Sequence, residues 1–204
     1  MHESSFDNMR YFRETYLAPL KDRPLTILDV GSMDINGSYR ELFSDPPWLY
    51  RGADTGPGKN VDLVFPDAYS WRAIPSGSLD VVISGQVFEH VEYFWFTILE
   101  IERVLKAGGW ICLIAPSGGP VHRYPVDCWR FLPDGFSALS RFAGLETVEI
   151  YLTSEKTQKY KDMSRIWNDT VFVGRKKKSR FPVKWKHELI RAALLRLMRL
   201  LPVL

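Results

Sequence analysis

The chain has 204 residues, is 46% hydrophobic and 14% aromatic, and carries a formal net charge of +3 at pH 7. This size suits a single α/β domain followed by a short tail. The two cysteines, Cys112 and Cys128, form neither a disulfide framework nor a C-x-x-C pair, which predicts a reducing, cytoplasmic compartment. The first twenty residues are charged and no apolar stretch is long enough to cross a bilayer, so neither a signal peptide nor a membrane-spanning helix is predicted.

The first informative segment is 26–31, where three apolar residues in six precede a final glycine. This pattern predicts a parallel strand buried on both faces that breaks into a tight turn at Gly31. A glycine at the break leaves room for a ligand against the main chain. Asp29 is predicted to lie at the carboxyl end of the strand, where open α/β sheets bind their ligands.

Strand and helix patterns alternate along the rest of the chain, which predicts an α/β fold. Asp54 ends the second strand about twenty-five residues after Asp29, roughly the spacing at which such folds place an acid on ribose hydroxyls. Glycines 108 and 109 are predicted to lie in the C-cap region of the helix that precedes them. The predicted strands are 48–53, 79–84, 110–115, 145–152 and 170–175, and the predicted helices are 91–106 and 134–142.

Five segments together resemble the class I S-adenosylmethionine-dependent methyltransferases. They are LDVG at 28–31, the acid Asp54, Asp67-Ala68, SLDVVISGQVFEHV at 78–91 and ERVLKAGGWICLIAPS at 102–117. The resemblance covers roughly residues 24–175. It implies a doubly wound, Rossmann-like sheet of seven mostly parallel strands with an antiparallel edge strand, and S-adenosylmethionine as the cofactor.

The resemblance also assigns cofactor-binding residues one by one. Asp29 and Gly31, with Ser32 and Gly37 of the same loop, would meet the methionine portion of the cofactor. The ribose would lie at Asp54 and Thr55, and the adenine at Asp67 and Ala68. The methyl group would lie above Ser84, Gly85 and Gln86. Glu89 and His90 would support the site, and His90 has a second interpretation as a catalytic residue. Asp67 has a second interpretation as a helix N-cap. The turn after Gly31 has too few glycines to hold a pyrophosphate, which favours S-adenosylmethionine over a nicotinamide cofactor.

A second resemblance lies in HRYPVDCWRF at 122–131, which is similar to methyltransferases of glycan and natural-product pathways. It implies methyl transfer to an acceptor hydroxyl, in particular one of a saccharide or glycan intermediate. His122 is the candidate general base because a histidine titrates near neutrality. The residues expected to line the acceptor pocket, or else to pack the loop, are Arg123, Tyr124, Trp129 and Arg130.

Asp127 has two interpretations that the sequence leaves open. It lies three residues before Arg130, so the two side chains could form an ion pair that fixes the loop. Alternatively, Asp127 and His122 could bind Mg²⁺ or Mn²⁺, as the likeness to sugar O-methyltransferases implies.

The C-terminal end differs in charge from the rest of the chain. Residues 175–204 contain ten Lys or Arg and one acid, a net charge of +9, which leaves −6 for the remainder. Apolar residues at helical spacing predict a basic amphipathic helix in 179–204, after a methyltransferase domain in 1–178. The helix could contact an anionic membrane surface peripherally, or it could pack on its own domain or on a second subunit in a homodimer. No recognition motif accompanies the lysines, so no nucleic-acid partner is predicted.

Three other functions use the same kind of sheet. They are a small-molecule or N-methyltransferase, a nicotinamide-dependent oxidoreductase, and a nucleotide-binding domain without catalytic activity. The chain has no Tyr-x-x-x-Lys pair placed for hydride chemistry, and the polar and aromatic run at 122–130 argues against a purely binding role.

Overall fold

A computed structural model describes residues 2–153, 160–162 and 164–178, together with 189, 192–194 and 196. Seven strands form one sheet in the order β3-β2-β1-β4-β5-β7-β6. The strands are β1 Thr26–Val30, β2 Leu49–Asp54, β3 Leu63–Val64, β4 Leu79–Gly85, β5 Leu105–Pro116, β6 Leu145–Leu152 and β7 Asp169–Lys176. The helices are α1 Glu3–Phe12, α2 Arg40–Phe43, α3 Phe94–Val104, α4 Pro133–Ala143 and α5 Ser164–Trp167.

The strand directions agree with the fold class predicted from the sequence. Strands β3, β2, β1, β4 and β5 pair in parallel, whereas β7 runs antiparallel to both β5 and β6. The antiparallel pairings are therefore confined to one edge of a Rossmann-like sheet. The order reverses between β1 and β4, and in open α/β sheets such a reversal opens a crevice at the carboxyl ends of the strands.

Both faces of the sheet are buried, and alternate residues of each strand enter different cores. On β4, Val82 packs with helix α3 in one core, while Val81 and Ile83 face the other core, which contains Met9 and Phe12 of α1. This arrangement explains why the central strands are apolar runs rather than alternating patterns.

Helix α3 is shorter than the predicted helix 91–106, and the glycine pair does not cap it. The helix ends at Val104, and Leu105 is already extended and pairs with Leu79 of β4. The next β4 partner, Val81, pairs with Trp110, so residues 106–109 loop out of the ladder. Gly108 takes a φ of +80° there, which favours glycine. The two glycines therefore lie in a bulge near the start of β5. The bulge arises because Leu105 is buried and pairs with β4, so the strand begins before the glycines.

Helix α1 is an element that the sequence patterns did not predict. Its buried residues include Met9 and Phe12, which pack on the sheet face opposite α3. Its first turn is held by the end of the domain, since the Glu3 amide donates to Asp162 and the Ser4 amide donates to the Ser164 hydroxyl. These contacts cover part of the carboxyl edge of the sheet.

The predicted C-terminal helix in 179–204 lies almost wholly outside the described residues and stays a prediction. Within the part of the chain that the structure describes, no helix has the length and apolar character required to cross a membrane.

The arginine of the RVLK motif fixes the loop between β3 and β4. Arg103 donates to the carbonyl oxygens of Trp71 and Ile74, at 2.9 Å each, and to both carboxylate oxygens of Glu100. Glu100, which is 1% exposed, also accepts the amide of Trp71 at 2.8 Å. A buried ion pair therefore holds the main chain that precedes β4.

We expect Glu100→Gln to lower the free energy of unfolding by about 2–4 kcal/mol, because it leaves the buried guanidinium without its counter-charge. Glu41→Gln, an exposed acid on α2, is the control and should change stability by less than about 0.5 kcal/mol. Urea denaturation followed by tryptophan fluorescence measures both, and equal stabilities would contradict the structural role of this pair.

Candidate active site

A cavity of about 550 Å³ opens at the carboxyl ends of β1, β2 and β4. Its wall includes residues of the glycine turn, the end of β2, the end of β4 and the loop after β5. Many residues predicted from the sequence meet there: Asp29, Gly31, Ser32, Gly37, Asp54, Thr55, Ala68, Gly85, Gln86, His90, His122 and Tyr124. The fold thus brings the predicted cofactor residues and the candidate base to one space.

The remaining predicted residues do not line this cavity. Ser84 is buried and its hydroxyl donates to the Val30 carbonyl oxygen at 2.8 Å, which ties β4 to β1. The Asp67 carboxylate accepts the Tyr69 amide at 2.8 Å and caps a turn; no helix begins there, so the helix N-cap interpretation is wrong. The others outside the lining are Glu89, Arg123, Asp127, Trp129 and Arg130.

The turn after β1 is fixed by close contact with the segment after β4. Gly31 has a φ of +76°, and a Cβ built on it would lie 2.2 Å from a methyl group of Val87. Its amide and that of Ser32 both donate to the Ala53 carbonyl oxygen, at 2.8 and 3.0 Å. No other residue type fits at position 31 without displacing Val87, which is the physical reason for glycine at the break.

Asp29 lies beneath this turn in a network that sequence reasoning missed. Its carboxylate accepts the hydroxyl of Tyr50, and Asn60 donates to that hydroxyl at 3.1 Å and to the Ser32 carbonyl oxygen at 2.8 Å. The guanidinium of Arg40 donates in turn to the Asn60 side chain. Burial raises the pKa of Asp29 to about 7. The one available signal was Tyr50, a hydroxyl in a buried strand that needs a partner.

Asp54 faces the glycine turn from the end of β2. Its carboxylate accepts the amides of Met33 at 3.0 Å and of Thr55 at 2.7 Å. These bonds orient an anionic acceptor along the cavity wall, which suits the recognition of vicinal hydroxyl groups.

Gln86 links the floor of the cavity to the N-terminal helix. It has a φ of +60°, and its side-chain amide donates to Asp169 at 2.9 Å and to the Ser5 hydroxyl at 3.3 Å. Asp169 also accepts the Ser4 hydroxyl, and burial raises the pKa of this carboxyl to about 6. Helix α1 and strand β7 are therefore connected to the end of β4 by polar contacts.

Asp127 and Arg130 form the ion pair that the sequence offered as one interpretation. The guanidinium donates to the two carboxylate oxygens at 2.6 and 2.9 Å, and Asp127 also accepts the His122 amide at 2.7 Å. These hydrogen bonds from Arg130 hold the pKa of Asp127 well below its usual range. Nδ1 of His122 lies 3.4 Å from the same carboxylate. The pair therefore anchors the loop on which His122 lies.

Glu89 and His90 lie against this loop. Glu89 is fully buried, burial raises its pKa to about 8, and among the described residues neither carboxylate oxygen has a hydrogen-bond partner. Nδ1 of His90 is 2.6 Å from the Val126 carbonyl oxygen, and its Nε2 is 3.6 Å from Glu89. The rings of His90 and His122 have centroids 4.8 Å apart. One end of the cavity thus carries two imidazoles backed by a carboxyl group.

Two residues predicted to line the acceptor pocket do not reach the cavity: Trp129 packs against neighbouring residues, and Arg123 lies at the surface. The Trp129 indole donates to the carbonyl oxygens of Val91 and Glu92 and its ring contacts Phe94 on α3. Arg123 is exposed at the surface of the loop. Tyr124 is the predicted acceptor residue that reaches the cavity, with its ring 6.3 Å from that of His90.

Comparisons with known proteins agree with this fold. The profile of a family described as a methyltransferase domain matches residues 44–113. An uncharacterized methyltransferase of Mycolicibacterium gilvum is 32% identical over 113 residues, which span 48% of this chain and 43% of that relative. The chain thus matches less than half the length of this curated relative.

Solved structures share the fold at low sequence identity. A SAM-dependent methyltransferase from Archaeoglobus fulgidus has a TM-score of 0.59 at 19% identity, covering 84% of this chain and 95% of its own. The [4+2]-cyclase SpnF has a TM-score of 0.64 at 18% identity, covering 85% and 82%. Phosphoethanolamine N-methyltransferase 2 of Haemonchus contortus, solved with S-adenosyl-L-methionine, has a TM-score of 0.61 at 14% identity, covering 84% and 53%.

The domain match covers less than half of the chain, and the three similar structures, at 14–19% identity, show the fold alone. Both agree with the resemblance to class I S-adenosylmethionine-dependent methyltransferases seen in the sequence. The O-methyltransferase subgroup stays a prediction, because the similar structures include an N-methyltransferase.

Gly31→Ala should destabilise the domain more than Gly77→Ala. Both glycines have positive φ, but a Cβ at Gly77 meets nothing within 4 Å, so that variant measures the backbone cost alone, about 1–2 kcal/mol. Displacing Val87 should add about 1–3 kcal/mol at Gly31. Thermal and urea unfolding compare the two, and equal losses would show that the contact with Val87 is relaxed at little cost.

Proposed function

We propose that this chain transfers a methyl group from S-adenosylmethionine to an acceptor that enters beside the loop 117–130. The observation that supports it most is one cavity with two chemically different ends. Asp29, Gly31 and Asp54 line one end, and His90 and His122 line the other. The first set suits a nucleoside with a methionine chain, and the second suits a group from which a proton is removed.

The reaction would be an in-line displacement at the methyl carbon. The acceptor atom forms a bond to carbon as the carbon–sulfur bond breaks, and the pair of electrons that leaves with sulfur neutralises the sulfonium. Because this leaving group is already activated, the protein contributes mainly by holding the two reactants in line. An acceptor hydroxyl also loses its proton, and a base beside it accelerates that step.

His122 is the base in this proposal, and a saccharide hydroxyl is the proposed acceptor. The Asp127 carboxylate lies 3.4 Å from Nδ1, on the side of the ring where catalytic histidines have a carboxylate neighbour. The choice of a saccharide as acceptor rests on the resemblance of the 122–131 segment to methyltransferases of glycan and natural-product pathways. An amine acceptor is the second candidate within the same fold, and it needs its proton removed only if it binds as the ammonium form.

Direct assays distinguish the proposed function from a nicotinamide-dependent oxidoreductase and from a non-catalytic nucleotide-binding domain. The same fold occurs in the cyclase SpnF, so fold by itself does not decide the reaction. Incubation with methyl-labelled S-adenosylmethionine and a panel of sugars and amines should transfer label to one class of acceptor. Calorimetry should show binding of S-adenosylhomocysteine and none of NAD. Binding of NAD in preference, or binding without transfer to any acceptor, would overturn the proposal.

Asp54→Asn should weaken binding of S-adenosylhomocysteine by roughly 10- to 100-fold, the usual value of a hydrogen bond to a charged group. A comparison with an analogue that lacks one ribose hydroxyl tests whether the lost affinity comes from the ribose contact. Wild type should prefer S-adenosylhomocysteine over its 2′-deoxy analogue, whereas Asp54→Asn should bind the two nearly equally. Calorimetry measures the four affinities, and a discrimination retained in the variant would remove Asp54 from the ribose site.

His122→Ala should slow turnover by roughly 10²-fold or more while leaving the affinity for S-adenosylhomocysteine unchanged, because the ring acts at the acceptor end. Single-turnover kinetics with labelled cofactor measure the chemical step, and calorimetry measures the affinity. A normal rate in this variant would return the histidine to a purely structural role.

A further inference from the structure

Three side chains at the acceptor end of the cavity offer ligand atoms to a single point. Glu89, His90 and His122 each present one such atom, and these atoms lie within 4.8 Å of one another. Tetrahedral ligands at roughly 2.1 Å from an ion are about 3.4 Å apart, so side-chain rotations that move these atoms by about an ångström close the set. We propose that Glu89, His90 and His122 bind a divalent first-row transition-metal ion.

The first support for this site is the Glu89 carboxylate. Its side chain has no exposed surface, and both its oxygens lack a hydrogen-bond partner among the described residues. A buried carboxyl group in that condition is costly, and proteins normally pair it or bind a metal with it. Its Oε1 points to within 3.6 Å of Nε2 of His90, toward the other two ligands.

The second support is the orientation of the two imidazoles. Nδ1 of His90 faces the Val126 carbonyl oxygen at 2.6 Å, so it carries the proton and leaves Nε2 with a free lone pair. His122 has the Asp127 carboxylate beside its Nδ1 at 3.4 Å. His90 is held as metal-binding histidines in proteins are, with a carbonyl oxygen on the ring nitrogen that does not bind the ion. Nδ1 of His122 is buried and has no hydrogen-bond partner among the described residues.

In this arrangement Asp127 is not a metal ligand, although the sequence offered that role as one of its two interpretations. Both its oxygens already accept hydrogen bonds, from Arg130 and from the His122 amide. Asp127 is therefore occupied by its ion pair and by the main chain of His122, and the carboxylate ligand is Glu89. Two nitrogen ligands and one oxygen ligand favour Zn²⁺, Mn²⁺ or Co²⁺ over Mg²⁺, which prefers oxygen ligands and retains several waters.

The site has an open side. His90 and His122 line the cavity, whereas Glu89 lies behind them, so an ion held by the three would face the acceptor. Three protein ligands with a free position is the arrangement of catalytic rather than structural metal sites. An ion there would polarise the oxygen of a bound hydroxyl. This part of the inference rests on the proposed function, and it replaces direct proton removal by the His122 ring.

Metal binding itself is tested without any activity. The full chain, freed of metals with a chelator, is titrated with Co²⁺ while the visible absorption is recorded, and with Zn²⁺ by calorimetry. We expect one ion per chain. Glu89→Gln and His122→Ala should each weaken binding by at least about tenfold. The matched control is Asp54→Asn, a carboxylate on the other end of the same cavity, which should bind Co²⁺ as wild type does.

The outcomes separate this inference from the proposed function. Absence of stoichiometric binding by wild type, or wild-type affinity in both Glu89→Gln and His122→Ala, would overturn the metal site. Circular dichroism checks that the variants are folded, and retained binding of S-adenosylhomocysteine by Glu89→Gln and His122→Ala shows an intact cofactor end. If the metal site fails while labelled methyl is still transferred, the proposed function stands with His122 as the base. If Co²⁺ binds but no acceptor is methylated, the metal site stands alone.

Discussion

Burial of the central strands on both faces is the constraint on which the site depends. Strands β1 and β4 send alternate side chains into two apolar cores, so apolar side chains fill the middle of the sheet. Polar side chains accumulate where the strands end, and β1, β2 and β4 end side by side because they are parallel. Asp29, Asp54 and Gln86 meet at one cavity for this reason, although they are far apart in the sequence.

The two ends of the cavity are held by different means. At the proposed cofactor end, the glycine turn packs against Val87 and donates from its main chain to the Ala53 carbonyl oxygen. At the proposed acceptor end, Arg130 fixes Asp127 and the Val126 carbonyl oxygen fixes His90. Backbone contacts tolerate changes of side chain, whereas a side-chain set fixes one chemistry. This difference is consistent with a shared cofactor site and acceptor loops that vary within one fold.

Sequence patterns predicted the central sheet well because buried strands leave long apolar runs, as at Thr26–Val30 and Leu79–Gly85. They failed where tertiary contacts decide the local structure. Residues 106–109 leave the β5 ladder because burial of Leu105 starts the strand early. Helix α1 was missed because its first turn is stabilised by partners near residue 164. The buried state of Glu89 and the link from Asn60 to Asp29 through Tyr50 depend on folding distant segments together, which no spacing in the chain reveals.

The contacts between α1 and the far end of the domain have a consequence for synthesis on the ribosome. Ser4 bonds to Ser164 and Asp169, about 160 residues later, so the polar contacts of the first turn of α1 form only after nearly all of these residues have emerged. Met9 and Phe12 share their core with Val171 and Val173 of β7, so their native cover is also incomplete until then. Complete docking of α1 therefore belongs to the last steps of folding during translation, which favours late, cooperative closure of the fold.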